Sequence, residues 1–197
     1  MANPPLPLLA TGLSQQSYLE AIFQSFIKDG VLQVYSYHGQ DAALAIAETF
    51  PYKRPDRHIA VVLETETDNP DRIRTIYEEA RDRLFRTCPT GELWHVALAV
   101  PDLTEWALVD DRIRQEYERI RQDTATKVPP EQHEKTKLWN YVGLSARILS
   151  LVEAQPFDLD SLKQKSRQVR ELCTFIEKTL LPKPKPKPVP VTAADWF

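Results

Sequence analysis

Glycine is scarce in this chain, with 5 in 197 residues. Loops that wrap phosphate with backbone N–H groups depend on glycine, and neither G-x-x-x-x-G-K-[ST] nor G-x-G-x-x-G occurs. No nucleotide-cofactor motif is therefore present. Cysteine is scarcer still. Cys88 and Cys173 stand alone, which excludes a disulfide framework and any paired-cysteine metal knuckle and fits a reducing compartment. No apolar run approaches the ~20 residues of a membrane-spanning helix. The opening Met1-Ala2-Asn3-Pro4-Pro5 has neither the basic start nor the apolar stretch of a signal peptide, so the expected location is cytoplasmic. H-E-x-x-H and G-x-S-x-G are missing too, which removes support for a zinc protease or a hydrolase triad.

What is present is an ordinary globular composition, 42% hydrophobic and 27% charged. The net charge of −3 is uneven. Lys183, Lys185 and Lys187 against Asp195 give the tail +2, which leaves −5 for the rest. An acidic body works against a general electrostatic grip on nucleic acid, because such binding draws on neutralised phosphates.

Strand and helix signals alternate through the first half. Leu6 to Thr11 reads as a short strand, and Pro7 places it at an edge or a strand start. Ser14 is an N-cap candidate for a helix carrying Tyr18, Leu19, Ile22, Phe23, Phe26 and Ile27, stopped by Gly30. Val31 to Tyr37 is a second strand, ended by His38-Gly39. Asp41 opens an alanine-rich helix closed by Pro51. His58 to Leu63 is the clearest strand, continuously apolar as when both sheet faces are covered. Asn69 and Pro70 then start a helix with Ile73, Ile76, Tyr77, Ala80 and Leu84 on one face. Its Arg72, Arg74, Arg81, Arg83 and Arg86 interleave with acids, the pattern of a solvated face. Trp94 to Val100 is the fourth strand.

Beyond it the pattern turns helical: Trp106–Ile120, an amphipathic face from Leu138 to Val152, and another from Leu162 to Leu180 capped by Asp160 or Ser161. The expectation is an α/β protein with a small, mostly parallel four-stranded sheet of Rossmann-like type, flanked by helices and followed by C-terminal helices. Residues 1–121 form the α/β domain and 122–181 a helical extension packed on it. Residues 182–197 form a Pro/Lys-rich tail of polyproline II type with an aromatic end.

In an open parallel sheet, ligands bind beyond the carboxyl ends of the strands. Acids concentrate there. Strand three runs into Glu64-Thr65-Glu66-Thr67-Asp68, and strand four into Pro101-Asp102 with Glu105 behind. Alternation along an extended chain puts Glu64 and Glu66 on one side. Two such carboxylates suit Mg²⁺ or Mn²⁺, with Asp102 or Glu105 completing the shell. The bland reading is that these acids favour the dipole of the next helix. His38, His58, His95 and His133 form no recognisable set.

Three segments resemble one family. Leu8-Leu9-Ala10-Thr11-Gly12-Leu13-Ser14-Gln15-Gln16-Ser17-Tyr18-Leu19 is similar to the opening element of TOPRIM-type domains. Val61-Val62-Leu63-Glu64-Thr65-Glu66-Thr67-Asp68 is similar to their strand followed by D-x-D. Val100-Pro101-Asp102-Leu103-Thr104-Glu105-Trp106-Ala107-Leu108-Val109-Asp110 resembles the "P…E-A-W-L-L-A-D" element of the RloB/DUF4276 branch, which is related to the OLD nucleases. The resemblance implies a TOPRIM-like fold over about residues 6–120. Its metal-binding and proton-transferring first-strand glutamate falls on Thr11, whose hydroxyl cannot do a carboxylate's work near neutral pH. Its acid pair falls on Glu64 and Glu66, each one methylene longer than aspartate. The resemblance thus implies a degenerate active site.

Two functions follow as expectations. One is a weakly active or non-catalytic binding or accessory module, reaching a protein partner through Trp196 and Phe197 on the tail, since aromatic anchors carry much interface energy. The alternative is a Mg²⁺- or Mn²⁺-dependent nuclease or phosphohydrolase with Glu64, Glu66 and Glu105 as catalytic acids and Glu64, Glu66 and Asp102 as metal ligands.

Overall fold

The computed structural model describes residues 4–54, 57–89, 91–127, 150–151 and 157–180. Four strands form one sheet: β1 (Leu6–Ala10), β2 (Leu32–Ser36), β3 (Ile59–Glu64) and β4 (Trp94–Ala99). Their order is β2-β1-β3-β4, and every pairing is parallel. The winding reverses between β1 and β3, the doubly wound arrangement that opens a crevice at their carboxyl ends.

Helices cover both faces because the inner strands β1 and β3, and the second half of β4, are apolar on both sides. On one face, Leu6, Leu8, Ala10, Ala60, Val62, Ala97 and Ala99 meet α1 (Leu13–Ile22), α5 (Leu103–Ala107), α6 (Asp111–Lys127), α7 (Leu159–Lys165) and α8 (Arg167–Leu180). On the other, Leu9, Ile59, Val61, Leu63, Val96 and Leu98 meet α3 (Gln40–Lys53) and α4 (Pro70–Thr87). Arg83 ties these two helices together, pairing with Glu48 at 2.8 Å and Asp41 at 2.9 Å. It is thus a brace between helices rather than part of a free solvated face. The C-terminal helices join the main core through Phe157, Leu162, Val169, Leu172, Cys173 and Ile176. Each large aliphatic side chain buried there contributes about 1.5–3 kcal/mol.

Several expectations shift. Pro7 allowed an edge or a strand start; β1 is an inner strand, and Pro7 is its second residue. Leu6 donates to the carbonyl of Val31 in the β2 direction, so the nitrogen of Pro7 faces β3. Pairing with β3 begins only at Leu8 opposite Ala60, so no ladder bond is lost. The first helix starts at Leu13 with Gly12 as N-cap, and Phe23 separates it from α2 (Gln24–Lys28). Helix α3 runs two residues past Pro51, to Lys53. Asp102 and Asp110 each accept from a backbone N–H two residues on, which splits the expected Trp106–Ile120 helix into α5 and α6. The last helix also divides. Asp158, rather than Asp160 or Ser161, caps α7, and extended Ser166 separates it from α8. Asn69 and Pro70 start α4 as expected, with Asn69 accepting from the N–H groups of Asp71 and Arg72. The Leu138–Val152 face and the Pro/Lys tail lie outside the described residues.

Candidate functional site

The carboxyl ends of β3 and β4 lie side by side, with Leu63 opposite Leu98 and Glu64 opposite Ala99. The acids that follow them are therefore neighbours. Glu64 is the last residue of β3 and only 8% exposed. Its Oε1 accepts the backbone N–H of Leu103 at 3.0 Å, at the start of α5. Its Oε2 accepts from the Nε2 of Gln15. Its backbone carbonyl accepts from Gln40 Nε2 at 2.6 Å. One residue thus joins the beginnings of α1, α3 and α5 at the sheet's reversal point. Burial pushes the Glu64 carboxyl above its usual range, and repulsion from Asp102 and Glu66 adds to this; the donors Leu103 and Gln15 act in the opposite direction.

Gln15 was not legible as a site residue. Its Oε1 accepts from both the N–H and the hydroxyl of Thr11, with the N–H contact at 2.8 Å. That fixes its amide, so the NH₂ end points at Glu64. Thr11, Gln15 and Glu64 form a relay of hydrogen bonds from the end of β1 to the end of β3. The available signal was position: Gln15 lies five residues beyond the end of β1, in the first turn of α1.

Glu66 departs from the expected geometry. Its φ of 52° is left-handed, and its N–H bonds to the carbonyl of Pro101 at 2.8 Å. The extended alternation that would aim it with Glu64 therefore stops between them. Glu64 is buried and Glu66 exposed. Asp102 is occupied as the N-cap of α5, accepting from Thr104 N–H at 2.7 Å. Glu105 is exposed on α5; partial burial raises its carboxyl above the usual range, with the charges of Asp102 and Asp68 adding to it. The acids thus gather as a mutually repelling rim.

Among the described residues, no three His, Cys, Asp or Glu side chains converge closely enough to hold a metal ion. The fit to Mg²⁺ or Mn²⁺ can be judged from the donors. Hard oxygens are available, but N–H groups of Gln15 and Leu103 sit on the Glu64 oxygens, and Asp102 is turned to its helix. As placed, Glu64, Glu66 and Asp102 do not fit a resident cation.

The histidines stand apart from this rim. His38 is exposed beyond β2. His95 and His58 lie at the opposite ends of the strands, against Phe175 of α8, with ring centres at 5.3 Å (stacked) and 5.7 Å (edge-on). His133, Trp196 and Phe197 lie outside the described residues.

Fold and rim together define a doubly wound α/β protein with a hydrogen-bonded carboxylate at its reversal point. The chain matches no family model, no curated protein and no solved structure. No described helix is long and apolar enough to cross a membrane.

Proposed function

We propose that the chain is a TOPRIM-like module that has given up metal-dependent catalysis and acts by binding, as an accessory to a protein partner. The observation that carries this reading is the state of Glu64. Its two oxygens are taken by protein donors, and the donor on Oε2 is itself locked by Thr11, the residue that stands where the resemblance places a carboxylate. An amide holds the acid in place without a cation. The exposed acids Glu66, Asp68 and Glu105 around it repel phosphate backbones, which favours a protein over a nucleic acid as partner. The aromatic pair Trp196 and Phe197 is the part of the sequence best suited to anchor such a partner.

Calorimetric titration with Mg²⁺ and Mn²⁺, alongside cleavage assays on single- and double-stranded DNA and RNA, tests the reading. The expected result is no saturable binding and no cleavage. Metal-stimulated cleavage that disappears in Glu66→Gln would overturn it and restore the nuclease alternative.

A further inference from the structure

The sheet has two edges, and they are treated differently. At β4, the outward N–H of Leu98 is capped by Gln168 Oε1 of α8 at 3.3 Å. At β2, the backbone directions follow from Leu6 donating to Val31 and Tyr37 donating to Ala10. Val31, Gln33, Tyr35 and Tyr37 turn their backbone groups toward β1. Leu32, Val34 and Ser36 turn theirs outward, where none of the described residues bonds them. Natural monomers protect such an edge with charge, proline or a covering element. Here Val31-Leu32-Gln33-Val34-Tyr35-Ser36-Tyr37 contains no charge and no proline. Beside this edge, Gln33 and Tyr35 are exposed on the α3 side of the sheet, with Tyr35 at 39%.

We propose that β2 is a homodimer interface, pairing antiparallel with β2 of a second copy about a two-fold axis at Val34. The occupant follows from the spacing. Three outward residues centred on Val34 present three N–H and three C=O groups. Reversed on themselves, they match completely: Val34 exchanges both bonds with its counterpart, and Leu32 does so with Ser36 at each end. A two-fold axis normal to the sheet keeps like faces together. Val34 then meets Val34 of the second copy on the α1 side, extending the apolar core. Gln33 meets Tyr35 on the other side, at the close spacing of directly opposed residues. The result is one continuous sheet across an isologous interface.

Sedimentation equilibrium and concentration-dependent amide exchange test this on the full chain. The wild type should dimerise, with the N–H groups of Leu32, Val34 and Ser36 gaining protection as concentration rises. The double variant Gln33→Lys with Tyr35→Lys sets like charges opposite each other at both cross-strand positions, and should weaken the dimer roughly tenfold or more. Gln33→Glu with Tyr35→Lys sets opposite charges there and should keep it. Both positions are exposed, so thermal melts should remain close to wild type. A monomeric wild type, or a dimer indifferent to the paired lysines, overturns the proposal.

Discussion

The relay from Thr11 through Gln15 to Glu64 has a direction, and reversing that direction is a stringent test of it. Glu64→Gln keeps shape and volume but places an NH₂ group where Oε2 accepted one. If Gln15 turns to accept it, the Gln15 NH₂ faces the two donors of Thr11 instead. One part-buried donor is orphaned either way, at a cost of about 1 kcal/mol, the low end of the penalty for a buried orphan. In a chain of this size that lowers the melting temperature by about 2–4 °C per kcal/mol. Gln15→Glu alone sets two carboxylates against each other, which cannot both stay ionised at contact distance. Its loss should be the largest at pH 8 and should shrink on acidification. The double variant reverses the relay and satisfies it: the carboxylate at 15 accepts from Thr11 and from the amide at 64, while that amide's oxygen keeps the bond from Leu103. Urea unfolding followed by tryptophan fluorescence should give a favourable coupling of about 1–3 kcal/mol in the four-member cycle. Losses that simply add, to within about 0.5 kcal/mol, would show that the two side chains do not hold each other.

Two further predictions concern buried titratable groups under the C-terminal helices. Burial disfavours the His95 imidazolium, only partly offset by Glu171, so its pKa lies below the ordinary 6.5, and among the described residues its Nε2 has no hydrogen-bond partner. The unfolded chain then takes the proton first: stability should be full above about pH 6.5 and fall as pH drops toward the folded pKa. Urea midpoints across pH 8 to 5.5 should flatten in His95→Phe, and an unchanged slope would exclude His95 as the cause. Glu64, with its raised pKa, acts with the opposite sign, adding stability as pH falls toward 4.5. Burial pushes the Cys173 thiol up to about 12. It should resist a disulfide reagent at pH 8 until the protein unfolds, and prompt labelling of the native protein would contradict its placement.

The strands were legible because burial on both faces leaves continuous apolar runs, as in Ile59–Leu63. Their order was not, since a local sequence says nothing about which distant strand it will pair with, and Pro7 left both an edge and a strand start open. The breaks at Asp110 and Ser166 were hidden because hydrophobic spacing continues across them and only the capping side chains mark the interruption. At the site, the acids were visible as residue types at strand ends. Their state was not. No glycine or asparagine announces that Glu66 is left-handed, and Gln15 looks like any polar residue opening a helix. A carboxylate held by an amide and a carboxylate held by a cation leave the same letters in the sequence.

The cover over β4 comes from far along the chain. Ala97 and Ala99 pack into a core completed by Val169, Leu172 and Ile176. During synthesis at roughly 5–20 residues per second, the ~70 residues between β4 and α8 leave the β4 portion of that face without its α8 cover for about 3–14 s. Each newly made molecule therefore passes through an interval with part of an apolar flank open to chaperones or to neighbouring chains on the same message.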